Sequence, residues 1–90
     1  MTPEPAIIVY GTTWCPDCRR ATRFFDEHHI SYTWIDIDQD RAARAEVERL
    51  NRGMRSVPTI LFPDGSMLVE PRNDALAAKF GLPATAGRTV

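Results

Sequence analysis

A buried strand that gives way directly to a helix constrains the fold of this chain more than any other feature of its sequence. Residues 6–10 (AIIVY) form a continuous apolar, β-branched run, as in a strand that is covered on both faces. After a turn at 11–14, apolar residues follow helical spacing from Pro16 to about His28, and residues 31–38 then alternate as a second strand. A strand, a crossover helix and another strand predict a parallel pair with a right-handed connection.

The second half of the chain predicts a helix, two antiparallel strands and a last helix. Residues 40–51 have helical spacing. Strands at 59–62 and 67–69 are joined by the tight turn Pro-Asp-Gly-Ser, so they must pair antiparallel. Asn73 is expected to cap a final helix over 74–80. The order βαβαββα predicts an α/β fold with one mixed four-stranded sheet and helices on both faces.

The length and charge of the chain limit what else it can be. Ninety residues suit one domain, which we place at 1–82, with a loose tail at 83–90. The formal net charge is −1, and arginines such as Arg20 and Arg44 are spaced as on solvated helix faces, so there is no basic patch for nucleic acid. No apolar run approaches the ~18 residues of a membrane helix, and no signal-peptide pattern opens the chain. We therefore expect a monomeric, cytoplasmic protein without nucleic-acid or membrane partners.

Two cysteines stand where the first strand meets the first helix, in the sequence Trp14-Cys15-Pro16-Asp17-Cys18. A loop this short constrains the unfolded chain little, so a structural disulfide is a poor explanation. If Cys15 is the helix N-cap, Pro16 takes the first helical position and the backbone amides of Asp17 and Cys18 point at the Cys15 sulfur. These amides and the helix dipole favour the thiolate, which is the nucleophile. We therefore expect an accessible, reactive sulfur at Cys15.

Cys18 lies one helical turn further on and is expected to be more buried than Cys15. It should remain a thiol until Cys15 carries a mixed disulfide, which Cys18 then attacks to release the reduced product. The spacing thus predicts an attacking cysteine and a resolving cysteine.

A pair of cysteines with this spacing also occurs in metal sites, which need further ligands. A structural zinc ion takes four ligands, and the only other soft donors, His28 and His29, are adjacent residues far along the same helix. They cannot complete a tetrahedron with the cysteines, so we expect no metal site within one chain. A metal or iron–sulfur binding module, built from Cys15 of two subunits and a free thiol, stays open as a different class of function.

Three segments together carry a resemblance to a known family: the CxxC at the strand–helix junction, Val57-Pro58 before the third strand, and the FPDGS hairpin. On these segments the chain resembles the glutaredoxin branch of the thioredoxin superfamily over about residues 7–82, and within it the actinobacterial mycoredoxins. The resemblance implies a thioredoxin-like, glutaredoxin-type fold and a dithiol–disulfide oxidoreductase without a bound cofactor. It further implies disulfide-bearing or thiolated proteins and a small thiol as partners, with a flavin disulfide reductase to recycle the protein.

The resemblance also implies roles for particular residues. Cys15 is the attacking thiol and Cys18 the resolving one, and the peptide bond before Pro58 is cis. Val57 offers backbone hydrogen bonds to the bound substrate. Trp14 fits the lip of a substrate site as well as it fits an aromatic side chain packed at the rim of the fold. The residues assigned to substrate binding are Trp14, Pro16, Val57 and Pro58.

Two departures from the family pattern bear on the small thiol. Glutaredoxins that use glutathione commonly have a lysine three residues before the first cysteine, where this chain has Thr12, and a Gly-Gly turn where it has Val69-Glu70-Pro71-Arg72. Losing the lysine removes a charge-assisted bond to a glutathione carboxylate. Mycothiol, an uncharged sugar-based thiol, does not need that bond and is therefore favoured. The nearest rival is an H-type redoxin recycled by thioredoxin reductase, although the aromatic C-terminal segment of that class is missing.

Overall fold

The computed structural model describes residues 6–83, so the expected tail beyond Pro83 lies outside the described residues. Seven elements follow one another in the predicted order. The helices are α1 (Pro16–Glu27), α2 (Arg41–Leu50) and α3 (Asn73–Lys79). The strands are β1 (Ile8–Gly11), β2 (Thr33–Asp36), β3 (Thr59–Leu61) and β4 (Met67–Val69). Within residues 6–83, no helix has both the length and the apolar character needed to cross a membrane.

The strands form one mixed sheet in the order β2-β1-β3-β4. β1 and β2 run parallel on either side of the α1 crossover, with Ile8 opposite Thr33, as the strand–helix–strand pattern predicts. β3 runs antiparallel to β1, and β4 runs antiparallel to β3 across the hairpin. The carboxyl ends of β1, β2 and β4 and the start of β3 therefore meet at one end of the sheet, with the end of β1 between the others.

Apolar side chains fill both faces of this sheet. α1 and α3 cover the larger core and α2 covers the smaller one, so the predicted arrangement of helices on both faces is confirmed. β2 divides its side chains as its alternation predicts, because Trp34 packs on the larger core and Ile35 on the smaller. The larger core consists of Ile7, Val9, Ala21, Phe24, Phe25, Ile60, Phe62, Leu76 and Ala77. The smaller core consists of Tyr10, Ile37, Ala43 and Val47.

The start of α3 differs from the prediction. Arg72 is the N-cap of this helix, makes no side-chain capping bond, and leaves Asn73 as the first helical residue. The prediction that Asn73 caps α3 is therefore wrong. The reason is the backbone directly after Pro71, which is already extended at Arg72 (φ −80°, ψ 167°), so the helix begins one residue early.

Candidate active site

The two cysteines lie where the inner strand β1 ends and α1 begins. Cys15 is the N-cap of α1, with an extended backbone (φ −86°, ψ 119°), and Pro16 is the first helical residue. Proline suits this position because its φ is preset and its missing N–H would have had no helical partner. The predicted placement of both residues at the strand–helix junction is confirmed.

The Cys15 sulfur is more enclosed than its position in the sequence predicts. The residue is 8% exposed, and its thiol faces the Val57 carbonyl, with 3.9 Å between Sγ and O. The capping bonds expected from the amides of Asp17 and Cys18 are not formed. The expectation of an openly accessible sulfur held by those amides is therefore wrong for the reduced chain. A neutral thiol is a weak donor, so it turns toward a carbonyl acceptor rather than toward amide donors.

Cys18 lies one turn further along α1 and is completely buried. Burial raises the pKa of the Cys18 thiol to about 12; the backbone amide of Thr12 opposes this rise, and the neighbouring Cys15 thiol and Asp17 carboxylate add to it. Cys18 is consequently a neutral thiol at physiological pH. This is the state that the sequence predicts for a resolving cysteine before it is needed.

Gly11, the last residue of β1, provides the space in which Cys18 packs. A Cβ atom on Gly11 would lie 2.8 Å from Cys18 Sγ and 2.7 Å from Cη2 of Trp34, both too close for real atoms. A side chain at this position would therefore displace the sulfur or the indole. The sequence predicts Gly11 only as part of a turn. The one signal that could have indicated its role is that a glycine stands between the apolar run and the cysteine pair.

The segment before β3 brings the Val57-Pro58 motif to the same place. The Val57–Pro58 peptide bond is cis, as the family resemblance implies. Pro58 is buried, and its carbonyl accepts the Glu70 N–H at 2.8 Å. Because Thr59 pairs with Tyr10, β3 starts beside the end of β1, and this pairing places the Val57 carbonyl over Cys15.

Trp14 and Pro16 flank Cys15 at the surface. Trp14 is 65% exposed, so it does not pack into the fold, and Pro16 is exposed as well. The Trp14 indole N–H donates a hydrogen bond to Oδ2 of Asp38, 2.8 Å away in the loop after β2. The structure thus brings both residues to the rim of the candidate site and adds Asp38, which the sequence analysis does not single out.

A polar pocket of about 460 Å³ opens on the α3 side of the cysteines. Arg20 spans it, since its guanidinium donates to Asp17 Oδ1 at 2.8 Å and to the Pro71 carbonyl at 3.1 Å. Two buried atoms in its wall, Nε of Arg20 and Oδ1 of Asn73, have no hydrogen-bond partner. Leaving these two atoms buried and unpaired costs free energy. The pocket is lined by Asp17, Arg20, Glu70, Arg72, Asn73 and Asp74.

Comparison with known proteins identifies the family. The glutaredoxin family profile matches residues 7–67 of this chain. A Mycobacterium tuberculosis protein named as a glutaredoxin is 40% identical over 74 residues, which are 82% of this chain and 88% of that protein. The chain belongs to the glutaredoxin family. Mycoredoxin 1 of Corynebacterium glutamicum is 37% identical to this glutaredoxin over 73 residues, which are 81% of this chain and 90% of that protein.

Solved structures agree with this assignment at the level of the fold. The thioredoxin-like protein BC3987 superposes with a TM-score of 0.70 at 26% identity, over 80% of this chain and 96% of that one. The glutaredoxin of Archaeoglobus fulgidus also gives a TM-score of 0.70, at 20% identity, over 81% of this chain and 83% of that one. The predicted thioredoxin-like, glutaredoxin-type fold is confirmed.

Membership in the family establishes the general activity. This glutaredoxin is a thiol–disulfide oxidoreductase. Glutaredoxin-type proteins act on disulfide-bearing proteins and small thiols, and the family needs no bound cofactor. Within residues 6–83, no group of three or more His, Cys, Asp and Glu side chains is placed to hold a metal ion.

Two arginines of this glutaredoxin form hydrogen bonds outside their own helices. Arg20 lines the polar pocket and bonds to the Pro71 carbonyl, and Arg44 of α2 donates to the carbonyls of Ile37 and Asp38. The Arg20 side chain is still 39% exposed, so it remains on a solvated helix face as predicted.

Proposed function

We propose that this glutaredoxin reduces protein disulfides and protein–small-thiol mixed disulfides by a dithiol mechanism, with mycothiol as the small thiol. The supporting observation is the unequal burial of two cysteines at one helix start. Cys15 is 8% exposed, with its sulfur facing the Val57 carbonyl, whereas Cys18 is completely buried. A substrate therefore meets Cys15 more readily than Cys18.

In the first step, the Cys15 thiolate attacks one sulfur of the substrate disulfide. The substrate S–S bond breaks, a bond between Cys15 and the substrate forms, and the departing sulfur takes up a proton. A negative sulfur is repelled by the Val57 carbonyl oxygen that faces the neutral thiol. The amides of the first turn of α1 and the helix dipole then provide the favourable environment for the charge.

In the second step, Cys18 loses its proton and its sulfur attacks Cys15 Sγ in the mixed disulfide. The Cys15–Cys18 disulfide forms, the bond between Cys15 and the substrate breaks, and the departing substrate sulfur takes up a proton in place of the one that Cys18 lost. Two electrons have then passed from the dithiol to the substrate. The raised pKa of Cys18, about 12, keeps this sulfur protonated while Cys15 is free. Once Cys15 is bonded to the substrate, its own charge no longer opposes ionisation of Cys18.

The polar pocket supports a sugar-based thiol as the co-substrate. Its carboxylates, guanidinium groups and amide suit hydroxyl groups, which both donate and accept hydrogen bonds. Thr12, at the position of the family's glutathione-binding lysine, is a buried neutral residue and offers no charge to a carboxylate. The likeness to a protein named mycoredoxin 1 points the same way.

The same proposal includes how the protein is recycled and where it works. Mycothiol reduces the Cys15–Cys18 disulfide, and a flavin disulfide reductase returns mycothiol to its thiol form with electrons from NADPH. We place the protein in the cytoplasm as a monomer, where a reducing environment keeps both cysteines free between turnovers.

The test is to supply the oxidised protein with NADPH and one of three reducing systems. These are mycothiol with its reductase, glutathione with its reductase, and thioredoxin reductase alone. We expect rapid reduction with the mycothiol system. The reduction is monitored by Trp fluorescence or by NADPH consumption. Rapid reduction by thioredoxin reductase alone would instead identify an H-type redoxin.

Two cysteine variants test the mechanism itself. Cys15→Ser should be inactive with every reducing system, and activity in this variant would overturn the proposal. Cys18→Ser should form the mixed disulfide but fail to release a protein substrate, so mass spectrometry should find the partner attached to Cys15 alone. A partner attached elsewhere would contradict the assigned roles.

A further inference from the structure

We infer that Asp38 is a positioning residue that holds Trp14 as an apolar wall for protein substrates, on the side of Cys15 away from the polar pocket. The inference rests on the proposed role of Cys15 as the attacking sulfur. It adds a residue outside the cysteine and Val57–Pro58 motifs, and it separates the surface for proteins from the surface for the small thiol.

Trp14 and Asp38 form a hydrogen bond beside Cys15. The indole ring directly precedes the attacking cysteine and is 65% exposed, so it packs against little of the fold. Its N–H donates to Asp38 Oδ2 at 2.8 Å, a short bond to a charged acceptor. A side chain with so little packing owes its orientation to this bond, because an unrestrained exposed ring would sample several rotamers.

Asp38 is itself held in place by hydrogen bonds to its backbone. Arg44 of α2 donates from Nε to the Ile37 carbonyl at 3.0 Å and from Nη2 to the Asp38 carbonyl at 3.3 Å. The Asp38 N–H donates to Asp36 Oδ1 at 2.9 Å, which closes a tight turn after β2. The carboxylate that receives the indole N–H is thus anchored to α2 and β2. A restrained acceptor fixes the ring more firmly than a mobile surface carboxylate would.

The Trp14–Asp38 pair lies on the opposite side of Cys15 from the polar pocket. In the sheet order β2-β1-β3-β4, Asp38 follows β2 at one edge, and Glu70 of the polar pocket follows β4 at the other edge. Cys15 follows the inner strand β1 and lies between them, and Trp14 is not among the residues that line the pocket. A small thiol can therefore fill the pocket without touching the ring.

The ring has the chemistry expected of a protein-binding surface. Exposed tryptophans are rare and are over-represented among residues that contribute most to protein–protein contacts. A large, rigid aromatic side chain adds apolar contact area at little entropic cost. In a protein disulfide, the polypeptide on either side of the sulfurs can contact the Trp14 ring. A small disulfide has no such flanking groups.

The test compares Asp38→Leu with Asp38→Asn, whose amide oxygen keeps an acceptor at the same position. Insulin serves as the protein disulfide and 2-hydroxyethyl disulfide as the small one. We expect Asp38→Leu to raise KM for insulin about two- to tenfold, the range of one net hydrogen bond, with kcat unchanged. KM for 2-hydroxyethyl disulfide should not change. Asp38→Asn should behave like the wild type on both substrates.

A matched control is available at the other end of α1. The exposed carboxylate of Asp26 accepts a hydrogen bond from the Tyr32 hydroxyl at 3.3 Å, a contact of the same kind away from the cysteines. Asp26→Leu should leave both KM values unchanged. Acrylamide quenching of Trp fluorescence should rise in Asp38→Leu and stay constant in Asp26→Leu, because only the first frees the Trp14 ring.

A double-mutant cycle completes the test. Trp14→Ala should raise KM for insulin at least as much as Asp38→Leu, and adding Asp38→Leu to it should have no further effect. Equal losses on both substrates, an unchanged KM in Asp38→Leu, or additive effects would overturn the inference while leaving the dithiol mechanism standing. Activity in Cys15→Ser would instead remove the proposed function on which the inference rests.

Discussion

At the scale of single residues, the Cys18 sulfur shows how closely packing and chemistry are linked. It lies against Gly11 at the end of β1, and no part of the residue reaches solvent. Burial raises the pKa of its thiol to about 12, from an ordinary value of 9.0. The folded chain therefore keeps a proton that the unfolded chain releases over the interval between these values.

Stability of the reduced protein should consequently fall as the pH rises through this interval. Above the unfolded pKa the folded state binds the extra proton, so the free energy of unfolding decreases by up to about 1.4 kcal/mol per pH unit. Cys18→Ser should lack this component. The raised pKa values of Tyr10 and Tyr32 act in both proteins and cancel in the difference. Urea denaturation of the wild type and of Cys18→Ser between about pH 8 and 11 measures the difference in their unfolding free energies. A difference that does not change with pH would contradict the prediction.

A second residue-scale prediction concerns Gly11→Ala. The added methyl group would collide with Cys18 Sγ and the Trp34 ring, so we expect a loss of about 1–3 kcal/mol in unfolding free energy. Near-ultraviolet circular dichroism should also change, because the Trp34 ring must move. Gly65→Ala is the control: nothing lies within 4 Å of its Cβ position, and its φ of 89° makes any cost a backbone effect. An unchanged Trp34 signal in Gly11→Ala would show that the site has room.

At the scale of secondary-structure elements, α2 and α3 begin in different ways. The Asp40 carboxylate accepts the Ala43 N–H at 3.0 Å and satisfies one of the free amides of the first turn of α2. Arg72 begins α3 without any such side-chain bond. The preference of Asp for N-cap positions is strong enough to be read from the sequence, whereas the start of α3 is set by the chain path after Pro71.

This difference gives a prediction with an internal control. Asp40→Ala should lower the unfolding free energy by about 1 kcal/mol, because it leaves the Ala43 amide unpaired at the helix start. Arg72→Ala removes no capping bond and should change the unfolding free energy by less than about 0.5 kcal/mol. Chemical denaturation measures both. Equal effects of the two substitutions would mean that the Asp40 bond contributes nothing to the stability of α2.

At the scale of the whole molecule, the sheet order divides the surroundings of Cys15 into two parts. The Trp14–Asp38 pair stands on the β2 side, and the polar pocket opens on the side of β4 and α3. Cys15 follows the inner strand β1 and therefore lies between them. Because the two share no lining residue, their contributions to substrate binding should be independent.

Arg20→Met tests this independence. The substitution keeps an unbranched apolar stem but loses the bonds to Asp17 and to the Pro71 carbonyl. We expect KM for a mycothiol mixed disulfide to rise about three- to thirtyfold, with KM for insulin unchanged. Combined with Asp38→Leu, the effects on the two substrates should simply add. A rise in KM for insulin in Arg20→Met would show that the two sides are coupled.

The fold could be predicted from the sequence because its signals are local. Turn residues and side-chain periodicity place every element, and β4 has the predicted bounds. β2 is shorter than the alternation over 31–38 suggests, because only 33–36 find partners on the four-residue strand β1. Period-2 alternation reports which face a residue occupies and not how far the pairing extends.

The site could be predicted only where its geometry is local. The N-cap position of Cys15 and the first-turn position of Pro16 follow from adjacent residues. The enclosure of Cys15 does not, because the Val57 carbonyl that faces it lies 42 residues away. Asp38 and the partner carbonyl of Arg20 are 24 and 51 residues from the groups they contact, and no pattern in one sequence links such pairs.

The unequal enclosure of the two sulfurs sets a labelling stoichiometry. A small alkylating reagent should modify the native, reduced chain once, at Cys15, the less buried of the two cysteines, and the denatured chain twice. The second equivalent enters only when the central strand separates from its helix. The rate at which Cys18 is labelled therefore measures how often the fold opens, and Cys18 serves as an intrinsic probe of unfolding.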